Sequence, residues 1–453
     1  MNGPPRDRPP TPGPVRPFHF PPFTRHRLDN GLTVLAGASP RAPLVDLALV
    51  FPAGAEHDPP GAAGLAGLTA GLLDEGTADR DAPAIAAAVA DLGGRVASGA
   101  DWDTGFAEGQ FLARHTGEGL DLLAEIATRP AFPAEELERQ RRRRRAELLR
   151  RRTDPGYLAE KLFARTVYGD TPYGHTLLGD EESLAGMDRD RVAGFYQRHY
   201  PLAAGYLLAA GELDPEAVVA RAEAVLGGLP SAAAPTAGPP AAAPGGSLRV
   251  AILDRPQGAQ TELRLGHPGV PRAHPEFIAL TVMNAILGGK FTSRINLNLR
   301  ERHGFTYGAF SRFDGRRGPG PFAVRTAVET AAAGAAAREV IGELTRIRES
   351  PVEAEELDDA RAWLIGTFPL SLQTTTGLAD RLETLAVYGL PDDYYDRFPD
   401  AVLAVGRDDV LAVARRFLRP DELAVVAVGP AAELEPQLAG LGPLEVHPAP
   451  DAP

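Results

Sequence analysis

The densest cluster of charged side chains in this chain is basic. The run Arg139-Gln-Arg-Arg-Arg-Arg-Arg145, continued by Arg150 to Arg152, stands out in an otherwise acidic sequence. Such a run is either a solvated helix face or a cationic wall that favours an acidic peptide or partner surface. Gly288-Gly289-Lys290 invites comparison with a phosphate-cradling loop, but Asn284 and Phe291 stand where that loop needs its first glycine and its Ser or Thr. No Gly-x-Ser-x-Gly elbow occurs, and none of the 10 histidines lie three, four or five residues apart, so a helical His pair for metal is missing. With Cys at 0, disulfides, thiolate metal sites and cysteine nucleophiles are excluded together.

The elements that must position any site come from a chain of 453 residues, long enough for two or three domains. A net charge of −13 repels nucleic acid and anionic membrane, so no nucleic-acid partner is expected. Gly (49) and Pro (43) are abundant, while 44% hydrophobic content is ordinary for globular domains; Pro/Gly-rich segments joined to folded ones reconcile the two. Residues 1–23 are proline-dense and are expected to form a disordered leader. Residues 228–247 carry neither a charge nor, after Leu229, a large side chain, and are expected to be a linker. Two halves result, 24–227 and 248–440, with a tail at 441–453. The start of the chain lacks the apolar run of a secretory signal and no stretch reads as transmembrane, so a cytoplasmic location is the default expectation.

The halves read alike. In the first, a strand at Val45–Phe51 leads through a Gly/Pro loop to helices, the second at Ala82–Leu92. Strands at Arg95–Ser98 and Thr104–Leu112 follow, then helices near Gly117–Thr128 and from Pro133. In the second, a strand at Thr261–Gly266 precedes a helix at Pro275–Leu287. Strands at Thr306–Phe313 and Phe322–Thr326 follow, then a long helix to about Arg348 and another opening at Val352. Ala-Glu-Glu-Leu recurs at 134–137 and 354–357, each time at an expected helix start where acidic residues suit the dipole. Mixed hairpins and helix pairs imply an α+β fold of two related domains, each a mostly antiparallel sheet packed with helices.

Leu28-Asp-Asn-Gly-Leu-Thr-Val34, Phe51-Pro-Ala-Gly-Ala-Glu56, the segment Gly64 to Thr77 and Leu92-Gly-Gly94 resemble the N-terminal domain of the pitrilysin/insulinase family of zinc metallopeptidases. Leu287-Gly-Gly289, Ser293-Arg-Ile295 and Leu299-Arg-Glu-Arg-His-Gly-Phe-Thr-Tyr307 resemble its C-terminal domain. Active members carry His-x-x-Glu-His in a helix, two imidazoles for zinc and a carboxylate to polarise the metal-bound water. Here those places hold Gly67, Ala70 and Gly71, and the place of the third ligand falls on Glu147, which read alone is a solvated ion-pairing residue. The resemblance therefore implies no metal or cofactor in this chain and no peptidase activity of the chain on its own. The glycines at 64, 67 and 71 each cost up to about 1 kcal/mol in a helix, which fits close approach of another element or drift after catalysis was lost.

The resemblance is to the family's zinc-free subunit type, such as the alpha-type subunit of the mitochondrial processing peptidase and bacterial two-chain relatives. It implies a heterodimer with a zinc-bearing subunit of the same family and a peptide substrate enclosed between the two. The substrate-binding pair it implies, an Arg and a Tyr seven residues apart, matches Arg300 and Tyr307, whose guanidinium and phenol would donate to a peptide carbonyl and its developing oxyanion at the partner's zinc. It also implies Gly288 and Gly289 as neighbours of a substrate path, although a Gly pair after an apolar helix is ordinarily a C-cap. The alternative is a catalytically inactive scaffold or peptide-binding pseudoenzyme with no protease partner.

Overall fold

The computed structural model describes residues 18–232 and 246–448. Most of the expected leader (1–17) and linker (233–245), and the end of the tail (449–453), lie outside the described residues. The first half forms strands β1 (Phe23–Arg27), β2 (Thr33–Ala38), β3 (Leu44–Phe51), β4 (Arg95–Ala100), β5 (Gly105–Leu112) and β6 (Tyr206–Gly211). The second forms β7 (Arg249–Asp254), β8 (Gln260–Pro268), β9 (Ala309–Phe313), β10 (Pro321–Glu329), β11 (Ala424–Gly429) and β12 (Leu444–His447). The sheet orders are β1-β2-β6-β3-β5-β4 and β12-β7-β11-β8-β10-β9. Matching β2 to β7, β3 to β8, β4 to β9, β5 to β10 and β6 to β11 makes five consecutive positions of the two sheets equivalent. The parallel pair β2–β6 falls opposite the parallel pair β7–β11. The fold is α+β, two related domains.

Helices of the first half used below are α1 (Leu65–Ala70), α2 (Ala82–Asp91), α3 (Thr116–Thr128), α4 (Ala134–Arg151) and α5 (Pro155–Tyr168). Local sequence starts α5 cleanly: the Asp154 carboxylate accepts from Tyr157 N at 3.1 Å, and Pro155 fills the first turn, where its missing N–H costs nothing.

Both faces of the central strands are covered. β3 (LVDLALVF) and β11 (AVVAVG) are buried almost throughout, the near-continuous apolar pattern of strands sandwiched on both sides. What covers the second face comes from the other half of the chain. Leu158, Ala159, Phe163 and Val167 of α5 pack on Ala251, Leu253, Ala424, Val426 and Val428 of the second sheet. Reciprocally, Leu378, Leu382, Leu385 and Ala386 of the helix Thr375–Val387 pack on Leu35, Ala48, Val50, Leu208 and Ala210 of the first. Asp46, a carboxylate inside β3, is satisfied by that visiting helix: it accepts from the hydroxyls of Thr375 and Thr376 in the helix's first turn. The halves exchange one helix each.

Three expectations are corrected. Residues 18–23, assigned to the leader, are packed: Phe20 stacks on Tyr395 at 5.2 Å, Phe18 meets Phe368 edge-on at 5.1 Å, and Phe20 N donates to Asp396 at 2.8 Å. Aromatic burial overrides the local proline content there. Leu444–His447, assigned to the tail, is β12 and pairs in parallel with β7, covering an edge that would otherwise stand open. The strand expected from Thr306 begins at Ala309, because Gly304 turns with φ +66° and the Thr306 hydroxyl bonds the carbonyls of Gly308 and Ala327, holding 305–308 as a turn.

Candidate functional site

A cavity of about 560 Å³ opens between the halves. Its floor is α1, entered through Gly64 at φ +90°. Asp58, buried beneath that helix start, accepts from Gly64 N and Ala66 N, both at 2.7 Å, and so fixes the turn. Burial pushes the Asp58 carboxyl up to about 7, against the lowering effect of those two N–H groups and of Arg144. The backbone of Leu178–Gly179 runs so close that a Cβ at Gly64 would lie 2.8 Å from Leu178 O, which explains that glycine.

Gly67 and Gly71 face the cavity, whereas Ala70 is turned into the core with no exposed surface. The other walls are α4 through Arg144 and Arg151, α5 through Tyr157, Glu160 and Tyr168, residues 98–100 of β4, and Arg316 and Arg325 from the second half. Arg144 reaches across the floor. Its Nη2 lies 3.1 Å from where a Cβ at Gly67 would stand and 4.0 Å from that at Gly71. Burial brings the guanidinium down to about 10, so it is charged at neutral pH. Its contact with the floor is one hydrogen bond, from Nη1 to Gly64 O at 3.3 Å.

Glu147, the place of the third ligand, does not line this cavity. Arg150 holds it at 2.7 and 2.8 Å and Arg151 adds a third bond, all within α4, and these bonds draw its carboxyl down to about 2. The site therefore offers a metal no donor at 67, 70 or 71, a carboxylate engaged elsewhere, and a guanidinium in the space between; it does not fit zinc. Among the described residues, no group of three or more His, Cys, Asp or Glu side chains is placed to hold a metal ion.

Below the cavity the halves are joined by a polar seam. Asp103 accepts from Tyr173 OH (3.2 Å) on its own side and from Tyr388 OH (2.9 Å) and Arg317 N (3.1 Å) across the junction. Arg317 also lies 3.4 Å from the buried Glu56. Arg316 sits over the rings of Trp102 at 4.2 Å and Tyr173 at 4.7 Å.

This geometry, two matched sheet-and-helix halves around a cavity at a Gly-Ala-Gly helix, agrees with comparisons to known proteins. A family profile described as Insulinase (Peptidase family M16) matches residues 33–181, and one described as Peptidase M16 inactive domain matches 186–364. The chain belongs to the insulinase family. Within that family it is 26% identical over 408 residues to an uncharacterized zinc protease of Streptomyces coelicolor, covering 89% of each chain. It is 24% identical to an uncharacterized zinc protease of Rickettsia bellii, covering 90% of this chain and 98% of that one. Among solved structures, a peptidase M16 inactive domain from Pseudomonas fluorescens superposes with a TM-score of 0.82 at 28% identity, over 90% of this chain and 98% of that one. A protease from Helicobacter pylori shares the fold with a TM-score of 0.84 at 18% identity, over 90% of this chain and all of that one. The word inactive in the second profile describes the second half; in the first half, residues 67, 70 and 71 are Gly, Ala and Gly and carry no metal-binding side chain.

The remaining family-implied residues lie away from this cavity. Arg300 lies in the last turn of the helical segment 294–302, stacks over the Phe291 ring at 4.5 Å and is 3.5 Å from Glu301. Tyr307 is 92% exposed. Asn296 ties the two segments together, donating to Phe291 O at 2.6 Å and accepting from Ala309 N at 2.9 Å. Gly288 and Gly289 also miss the cavity and are closed against Ser311 and Asn284, where a Cβ would collide. In the sequence Arg144 is one member of an arginine run, and its spacing on α4, seven residues before Arg151 and three before Glu147, is the signal that it shares their side of the helix. Arg316 and Trp102 carried no sequence signal.

Proposed function

We propose that this chain is the zinc-free subunit of a two-chain metalloendopeptidase, giving a zinc-bearing partner of the same family half of a peptide chamber together with Arg300 and Tyr307. The observation that carries the reading is the exposure of that pair. Tyr307 is 92% exposed, Arg300 stacks over the ring of Phe291 (56% exposed), and Phe310 in the same segment of the second half is 47% exposed, aromatic surface that the described residues leave in solvent. Large aromatic side chains standing in water are what an interface or substrate surface needs and a fold does not. Against a bound peptide, the guanidinium and phenol would donate to a carbonyl whose negative charge grows as the partner's chemistry proceeds. Glycines at 67 and 71 fit a division of labour in which the metal is held by the other chain.

The reading is tested by purifying the full chain from its native cells and asking what accompanies it. A similar-sized chain bearing His-x-x-Glu-His, with chelator-sensitive hydrolysis of unfolded peptides by the pair, supports it. Recovery of this chain alone and inactive sinks it in favour of a peptide-binding pseudoenzyme.

A further inference from the structure

We propose that the cavity over Gly67 and Gly71 is a carboxylate-binding site for an acidic peptide, with Arg144 as its anchor, standing where the family's active members hold a metal cation. This goes beyond the two-chain reading and does not depend on it. Each other arginine on the cavity wall has a carboxylate of its own. Arg151 is bound to Glu147, Arg325 is 3.1 Å from Glu160, and Arg316 is 2.8 Å from Asp314. Among the described residues, Arg144 has no carboxylate within ion-pairing distance; its guanidinium offers five N–H donors and uses one, weakly, on Gly64 O at 3.3 Å. Arg144 is part-buried and lines the cavity, and the carboxyl whose charge it feels, Asp58 beneath the floor, lies beyond ion-pairing distance and is itself pushed up by burial, so the guanidinium keeps donors for an anion entering from the cavity.

The chemistry of the occupant follows from the donors. A single planar guanidinium presents two parallel N–H groups that match the two oxygens of one carboxylate. A phosphate dianion would call for a second unpaired cation. That the carboxylate belongs to a peptide follows from the wall beside it. Residues 98–100 of β4 line the cavity, and β4 is the outermost strand of its sheet, so that among the described residues its outer side has no strand partner. Tyr157 and Trp102 provide flat apolar surface nearby. A volume of about 560 Å³ takes a short stretch of extended chain rather than a lone anion. Gly67 is part of the device, since even a Cβ there would stand 3.1 Å from the guanidinium and a longer side chain would compete with it for the same space.

The test uses the purified full chain without any partner and four synthetic hexapeptides of one sequence: a central Glu or Gln, each with a free or an amidated C-terminus. Calorimetric titration at low salt is expected to show that peptides with at least one carboxylate bind roughly 10-fold to 100-fold more tightly than the Gln amide, the size of a charge-assisted pair lost. Comparing the Glu amide with the Gln acid shows whether the side chain or the terminus supplies the group. Arg144→Gln is expected to abolish the discrimination and Arg144→Lys to keep part of it; should Arg144→Gln not fold, the discrimination by the unaltered chain and its loss at high salt decide the matter. Equal binding of all four peptides, binding of none at millimolar concentration, or unchanged discrimination in folded Arg144→Gln overturns the proposal. A failure here leaves the co-purification result untouched, so the two readings fall separately.

Discussion

The guanidinium of Arg144 on α4 stands 3.1 Å from the point a Cβ at Gly67 would occupy on α1. The two positions are sterically coupled: the glycine makes the space and the arginine fills it. Neither position offers a metal a donor, and what stands over the floor of the cavity is a fixed positive charge.

Restoring the motif is therefore expected to fail as a route to zinc. The triple variant Gly67→His, Ala70→Glu, Gly71→His places new side chains against Arg144 and into a floor where Ala70 is fully buried, costing about 1–3 kcal/mol or more. After dialysis, metal analysis should find well under one zinc per chain, because the cation remains and Glu147 stays bound to Arg150 and Arg151. Stoichiometric zinc in that variant would show that Arg144 moves aside freely.

Tyr307 and Arg300 should be separable from folding. Tyr307→Ala and Arg300→Ala remove exposed or half-exposed side chains, so thermal unfolding should shift by no more than about 0.5 kcal/mol. In a complex with a zinc-bearing partner, kcat on a peptide should drop on the order of 100-fold for either, as for loss of one oxyanion donor. A destabilised chain, or unchanged turnover, contradicts that assignment.

The exchanged helices should make the halves unfold together. Leu382, fully buried between its own helix and the first sheet, is the sensitive position: Leu382→Ala should cost about 2–5 kcal/mol and lower the stability of both halves at once. Calorimetry should show one transition before and after the change. Two separated transitions in the unaltered chain would mean that each half stands alone.

Stability should fall from neutral to mildly alkaline pH. Burial pushes the carboxyls of Glu56 up to about 8, Asp58 to about 7 and Asp103 to about 6. Those groups stay protonated in the fold at pH values where the unfolded chain has released its protons, so their contribution is full in acid and lost as pH rises through these values. Burial lowers His57 and His199 to about 4, with the opposite sign: their contribution is full above about 6.5 and lost as pH falls toward 4. From about pH 6.5 to 8.5 only the carboxyl effect remains. The unfolding midpoint should drop across that window, and Glu56→Gln should flatten the drop; a midpoint that rises there contradicts the assignment.

Much of the framework is legible in the residues. Apolar runs such as Val45–Phe51 and alternating ones such as Phe322–Thr326 mark strands because the pleat repeats every two residues. The recurrence of Ala-Glu-Glu-Leu at 134 and 354 marks the internal repeat that the matched sheet orders display. Smaller features escaped because they depend on long-range partners. The aromatic residues at 18, 20 and 23 look like part of a proline-rich leader until Phe368 and Tyr395 are brought against them, and Leu444–His447 is a strand only because β7 offers an edge.

The sequence by itself determined the α+β repeat, the absence of metal-binding side chains at 67, 70 and 71, and the family. Those depend on residue identity and local periodicity, which a linear chain carries in full. Tertiary structure alone decided that each half covers the other's sheet with a helix, that Tyr307 stands in solvent, and that of the arginines on α4 it is Arg144 that enters the cavity unpaired. The apolar stripe of a helix says that it is buried but not against what. The charge of an arginine likewise says nothing of whether a carboxylate will be within reach once the chain has closed.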